Sequence, residues 1–132
     1  MYVRSRYTFL ALTLLTATFA LSAQASDIES ARNLANYCRS LEKGTKGTGR
    51  HIRIPNTKQA LLCWGYMQAI QDFSVLVEED GHRLIGSCPP EQITLLQLIH
   101  SFLAYARSHP GELEGNTAAA AIQWLQATFP CR

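Results

Sequence analysis

Apolar residues recur along this chain at three- and four-residue steps, the signature of one face of an α-helix, with no alternating run of useful strand length. Four helices follow from the pattern. The first is expected to open at Ser26-Asp27-Ile28-Glu29, where Ser26 and Glu29 fit a capping box, and to bury Ile28, Ala31, Leu34, Cys38 and Leu41. Gly44 is its expected stop, because glycine accepts the left-handed conformation common after helices. The second starts near Asn56 or Thr57 and carries ALLCWGYMQAIQDFSVLVEE, residues 60 to 79. Its apolar arc through Leu62, Met67, Ile70, Phe73 and Val77 is wide enough to predict a central helix packed on several sides. Gly65 costs about 1 kcal/mol relative to alanine inside a helix, so close approach by a neighbouring helix is expected there.

Cys88-Pro89-Pro90 is a turn, since two prolines withhold two backbone donors. Thr94 with Gln97 forms a second capping box, and LLQLIHSFLAYARS follows as an amphipathic helix ended by His109-Pro110-Gly111. Asn116 is placed to cap the last helix, AAAAIQWLQATF. The predicted class is all-α, a small disulfide-stabilised bundle of four to five helices.

The first 25 residues change the picture of compartment and charge. Arg4 and Arg6 precede 16 uncharged, mostly apolar residues, and Ala23-Gln24-Ala25 follows. That order reads as a cleaved signal peptide, residues 1–25, followed by one domain over residues 26–132. The apolar stretch is shorter than the roughly 20 residues a spanning helix needs, and no membrane span is expected in the mature chain. The whole sequence has 12 Lys and Arg against 10 Asp and Glu, but removing Arg4 and Arg6 leaves ten of each. A neutral exported domain offers no global reason to bind nucleic acid.

All four cysteines, Cys38, Cys63, Cys88 and Cys131, fall in the exported part. In an oxidising compartment an even number predicts disulfides, and none of the gaps has the short pairing typical of zinc sites. In an up-down-up-down bundle, Cys38 late in helix one and Cys63 early in helix two share an end. Cys88 before helix three and Cys131 after helix four share the other. Cys38–Cys63 and Cys88–Cys131 is the pairing that needs no chain crossing.

Candidate chemistry is thin. GTKGTGRH, residues 44–51, approaches a phosphate-binding loop, yet Arg50 and His51 stand where lysine and serine or threonine belong, and a helix rather than a strand precedes it. No nucleotide site is expected. Lys43, Lys46, Arg50, His51, Arg53 and Lys58 form a basic cluster without an acid, read as a solvated connector, with steering of an acidic partner as the other reading. His51, His82, His100 and His109 lack metal-ligand spacing, Asp72 reads as a helix-surface carboxylate, and disulfides leave no thiol nucleophile. An enzyme is not expected, nor a cofactor or metal. The stretch Glu78 to Ile85 begins acidic, ends apolar and lies next to Cys88. A loop of that make-up suits either a partner-binding tip, with Glu79, Asp80, His82, Arg83 and Leu84 as candidate contacts, or an ordinary interhelical loop with its apolar end tucked inward.

Three segments together resemble a known family: Cys63-Trp64-Gly65-Tyr66 with Ala69-Ile70-Gln71-Asp72; Cys88-Pro89-Pro90 with Ile93-Thr94 and Gln97-Leu98; and Tyr105, His109-Pro110, Ala121 and Phe129-Pro130-Cys131. In order and spacing they are similar to the Rap/Tai immunity proteins of bacterial type VI secretion systems, over roughly residues 34–131. The resemblance implies a helical protein in the periplasm of a Gram-negative bacterium, often a homodimer. It further implies a protein partner, a cell-wall amidase effector delivered by a neighbouring cell, whose Cys-His cleft is plugged without chemistry on the immunity side. The matching residues are scaffold; Glu79 to Leu84 is not part of the match. Gly-Glu-Leu-Glu-Gly at 111–115 departs from the more helical link usual in the family. A general envelope interaction or chaperone-like protein is the alternative reading.

Overall fold

The computed structural model describes residues 28–47 and 51–131. The expected signal peptide, Ser26 of the first expected cap, and Arg50 of the basic cluster lie outside the described residues. Four α-helices follow in order: α1 Ala31–Gly44, α2 Lys58–Ser74, α3 Leu95–Ser108 and α4 Thr117–Thr128, with a 3-10 turn at Pro110–Glu114 before α4. Among the described residues, extended pairing is confined to three isolated antiparallel bridges.

Each helix starts on a short side-chain oxygen that satisfies a backbone N–H left open at the first turn. Thr57 accepts from the Ala60 amide at 3.2 Å. Asn116 Oδ1 accepts from the amides of Ala118 at 2.9 Å and Ala119 at 3.2 Å. Thr94 and Gln97 complete the expected capping box. For α1 the expectation fails: Ile28 and Glu29 are not helical, and the cap is Ser30, whose Oγ accepts from the Asn33 amide at 3.3 Å. The amide of Ala31 is held instead by the carbonyl of Gly115 at 3.5 Å, a long-range tie that sets where the helix begins.

The central helix is α1, not α2. Ala31, Leu34, Ala35, Cys38 and Leu41 make a fully buried stripe, and α1 packs against α2, α3, the 3-10 turn and α4. Its two alanines on that stripe allow close approach from several sides. By contrast α2 buries only Ala60, Cys63, Met67 and Ser74 and packs chiefly on α1 and α3. Phe102 of α3 meets Trp124 of α4 edge-on at 5.3 Å, and Trp124 meets Phe129 at 6.3 Å. Cys38–Cys63 ties α1 to α2 inside the core, and Cys88–Cys131 ties the segment before α3 to the segment after α4. Both are the pairs expected from the bundle layout.

Residues 111–114 of the unusual link lie in the 3-10 turn, which Gly115 caps. Leu113 enters the core, Arg32 pairs with Glu114, and the Tyr105 hydroxyl donates to Glu112. His109 caps α3 and stacks on Tyr105 with centroids 4.1 Å apart. Partial burial, and then the bonded Glu112 carboxylate, push the Tyr105 phenol up to about 12.

Two glycines act differently from expectation. Gly44 is the last residue of α1 and is not left-handed; positive φ occurs only at Gly47, Gly81 and Gly86 among the described residues. A Cβ at Gly44 would lie 2.7 Å from Cγ of Pro55, so the glycine admits the chain folding back over the helix end. A Cβ at Gly65 would touch nothing within 4 Å; no helix approaches it, because that face of α2 is open.

Opposite outcomes follow for two similar substitutions. Gly44→Ala, forced against a proline ring that cannot swing away, is expected to cost about 1–3 kcal/mol, while Gly65→Ala should gain about 1 kcal/mol from helix propensity alone. Melting temperatures check both. For Tyr105, the raised folded value means its stabilisation is complete below the ordinary phenol value of 10.0 and is lost as pH rises through about 12. An ultraviolet titration of the folded protein should show this late tyrosine, and Glu112→Gln should bring it down.

Candidate functional site

The apolar run entering residues 73–79 leaves the helix early. Ser74, buried at the end of α2, donates from its Oγ to the Gln71 carbonyl at 2.7 Å. The β-branched Val75 and Val77 that follow are stiff at χ1 and fit extended backbone better than a helix. From there the chain forms a short hairpin. Val77 pairs with Arg83 across an antiparallel bridge. The Glu78 amide donates to the His82 carbonyl at 2.8 Å, and the Leu84 amide to the Leu76 carbonyl at 3.0 Å. Its tip is a turn closed by the Gly81 amide on the Glu78 carbonyl at 3.0 Å. Gly81 has φ 85°, the left-handed residue that a three-residue hairpin loop requires.

The five residues singled out in the sequence all lie on this hairpin, but they do not share one role. Asp80 turns inward, its Oδ1 accepting from the His82 amide at 3.0 Å. Arg83 reaches back and donates to the Val75 carbonyl at 2.6 Å, bracing the two arms. Glu79, His82 and Leu84 are exposed. Among the described residues neither Glu78 nor Glu79 makes an ion pair, so the tip presents uncompensated negative charge.

The sequence marked Leu84 on the return arm but not the apolar residues of the first arm. Phe73, Val75, Leu76, Val77 and Leu84 are between 45% and 58% exposed, and they are five of the eight large exposed hydrophobics among the described residues. Phe73 and Val77, expected on the packed arc of a longer helix, are instead exposed. Two β-branched residues running into Glu-Glu-Asp-Gly were the available signal of a hairpin. Scattered exposed apolar residues need no explanation, whereas a concentration on one projecting element marks an interaction surface.

The surface continues beyond the hairpin. Tyr66, Ala69, Ile70 and Phe73 of α2, Ile85 of the return arm, and Ala118 and Ile122 of α4 line a groove of about 280 Å³. Phe73 and Ile85 join it to the hairpin base. Burial raises the Tyr66 phenol above 10.0, consistent with a ring seated against an apolar wall. This is the arc that was expected to make α2 a central helix.

Elsewhere the residues with chemical potential are dispersed. His100 Nε2 lies 3.8 Å from Glu42, His109 caps α3, His51 is exposed on the glycine-rich loop, and Asp72 accepts from Gln68 on the α2 surface at 3.2 Å. Among the described residues no three His, Cys, Asp or Glu side chains gather closely enough to hold a metal ion. All four cysteines are paired. Lys46 and Arg53, on either side of the glycine-rich stretch, exchange backbone bonds of 3.0 and 2.9 Å. Lys58 stands at the start of α2, about 25 Å along that 17-residue helix from the hairpin. Among the described residues no helix is long and apolar enough to cross a membrane.

The hairpin is thus acidic at the tip, apolar along the arms and braced on a cross-linked bundle. No curated protein and no solved structure matches the chain. Residues 30–131 match the sequence profile of the Rap1a immunity proteins, a span that takes in all four helices, the hairpin and both disulfides. The chain belongs to the Rap1a immunity protein family, whose members act by binding a partner effector protein.

Proposed function

We propose that this is a periplasmic immunity protein of a type VI secretion system, and that it neutralises a peptidoglycan amidase effector by covering the effector's catalytic cleft. The single observation that supports this best is the hairpin from Val75 to Ser87. It projects exposed apolar arms and an acidic tip from a disulfide-tied scaffold, a shape suited to entering a cleft. An amidase of the Cys-His type carries a cationic or neutral imidazole in an accessible groove, and an acidic tip with apolar flanks complements such a groove in charge and hydropathy. Inhibition then requires no chemistry from the immunity protein, only occupancy. The order of charged, apolar and small residues over 1–25 supports export through a cleaved signal peptide to the periplasm of a Gram-negative cell. Kinship with the family supports a homodimer as the assembly.

Within this account Leu84 and Glu79 contribute to binding and little to folding. Leu84→Ser and Glu79→Lys should each weaken binding to the co-encoded effector by about tenfold or more, the scale of one interface anchor. Melting temperatures should stay within about 2 °C, since both side chains are exposed. Titration calorimetry with amidase turnover reads the first and thermal melting the second; unchanged affinity in both variants would remove the hairpin from the interface. Sedimentation velocity of the mature protein should give twice the monomer mass.

A further inference from the structure

The two disulfides occupy opposite environments. Cys38 and Cys63 are completely buried between α1 and α2, so a reductant reaches them only when the bundle opens. Cys88 and Cys131 are both exposed and lie outside every helix. What they hold is the base of the hairpin. Residues 75–94 separate α2 from α3, and near residue 88 three contacts join that segment to α4 and the stretch after it. Gln126 Nε2 donates to the Ile85 carbonyl at 2.9 Å, Ser87 pairs with Pro130, and the Cys88 amide donates to the Phe129 carbonyl at 2.7 Å. The disulfide is the covalent tie among them. Closing this base also buries the Ser87 hydroxyl without a hydrogen-bond partner, a cost that disappears once the base opens to water.

We propose that Cys88–Cys131 is a thiol–disulfide exchange site for a dithiol reductant, and that its reduction releases the hairpin base while the helical bundle and Cys38–Cys63 stay intact. The thiolate of the dithiol attacks one of the two exposed sulfurs, breaking the Cys88–Cys131 bond and forming a mixed disulfide. The other protein sulfur leaves as a thiolate and takes up a proton. The second thiol of the reductant then attacks the mixed disulfide, closing the reductant's own disulfide and freeing the second protein sulfur, which is protonated in turn. Two electrons pass from dithiol to protein. The hairpin's internal bonds, Glu78 to His82 and Leu84 to Leu76, do not depend on this link; its anchorage to α4 does. This proposal stands apart from the identity of the effector.

The test is graded reduction of the folded, oxidised protein with dithiothreitol, trapping of thiols with iodoacetamide, and peptide mass mapping. The expected result is two labels, on Cys88 and Cys131, with Cys38 and Cys63 unlabelled until denaturant is added and helical circular dichroism retained. Hydrogen exchange on the doubly labelled species should show lost protection at the Cys88 amide and retained protection in α1. A Cys88→Ser/Cys131→Ser double variant should reproduce that exchange pattern without any reductant. Labelling of all four cysteines together, loss of helix with the first label, or unchanged protection at Cys88 in both the reduced protein and the variant would overturn the proposal.

Discussion

Where α2 stops determines what this molecule can offer a partner. A helix continued through Glu79 would carry Phe73, Leu76 and Val77 around its cylinder and leave no projecting element. Instead the buried Ser74 turns its hydroxyl back onto the helix, and two valines take the chain into extended pairing. Gly81 and the Asp80 side chain then close a tight turn. Each of these is a local preference worth at most about 1 kcal/mol, but they agree, and agreement among local signals is what gives a short hairpin one conformation. The hairpin cannot be stable alone, since isolated two-stranded ribbons are marginal in water. Arg83 braces its arms from within, and the Cys88–Cys131 link with Gln126 fixes its base.

That division of labour explains the two disulfides. Cys38–Cys63 lies inside the α1 stripe on which every other helix packs, and it strengthens the core of a small domain. On the loop-entropy estimate each bridge contributes roughly 3.5 to 4 kcal/mol, a large share of a small domain's stability. Cys88–Cys131 sits at the periphery and stabilises a geometry more than a core. A hairpin anchored in advance loses less conformational freedom on binding a partner than a mobile loop does.

Much of the bundle was legible because its signals are local. The Thr94–Gln97 box and the Asn116 cap each involve residues within one turn, and the cysteine pairing followed from helix order alone. The start of α1 was not, since Ser26 and Ser30 offer the same cap chemistry and the choice rests on Ala31 meeting Gly115, far away in sequence. The roles of the glycines were not legible: Gly44 clears Pro55 rather than turning left-handed, while Gly65 faces open space and needs no small residue. The candidate site was half legible. Its acidic turn was marked by Glu-Glu-Asp-Gly, but its apolar arms hid behind a coincidence, because Ile70, Phe73 and Val77 satisfy helical spacing as Val75 and Val77 satisfy strand alternation. Burial, which no sequence period reports, separated the two. The same ambiguity turned an exposed groove on α2 into an expected core face.

The central claim is that the hairpin is the surface that meets the effector, and its most direct measurement is hydrogen exchange of the immunity protein with and without its effector bound. The account predicts slowed exchange at the amides of Leu76 to Leu84, with the basic connector between α1 and α2 unchanged. Protection confined to residues 43–58, with the hairpin exchanging as fast as in the free protein, would contradict it.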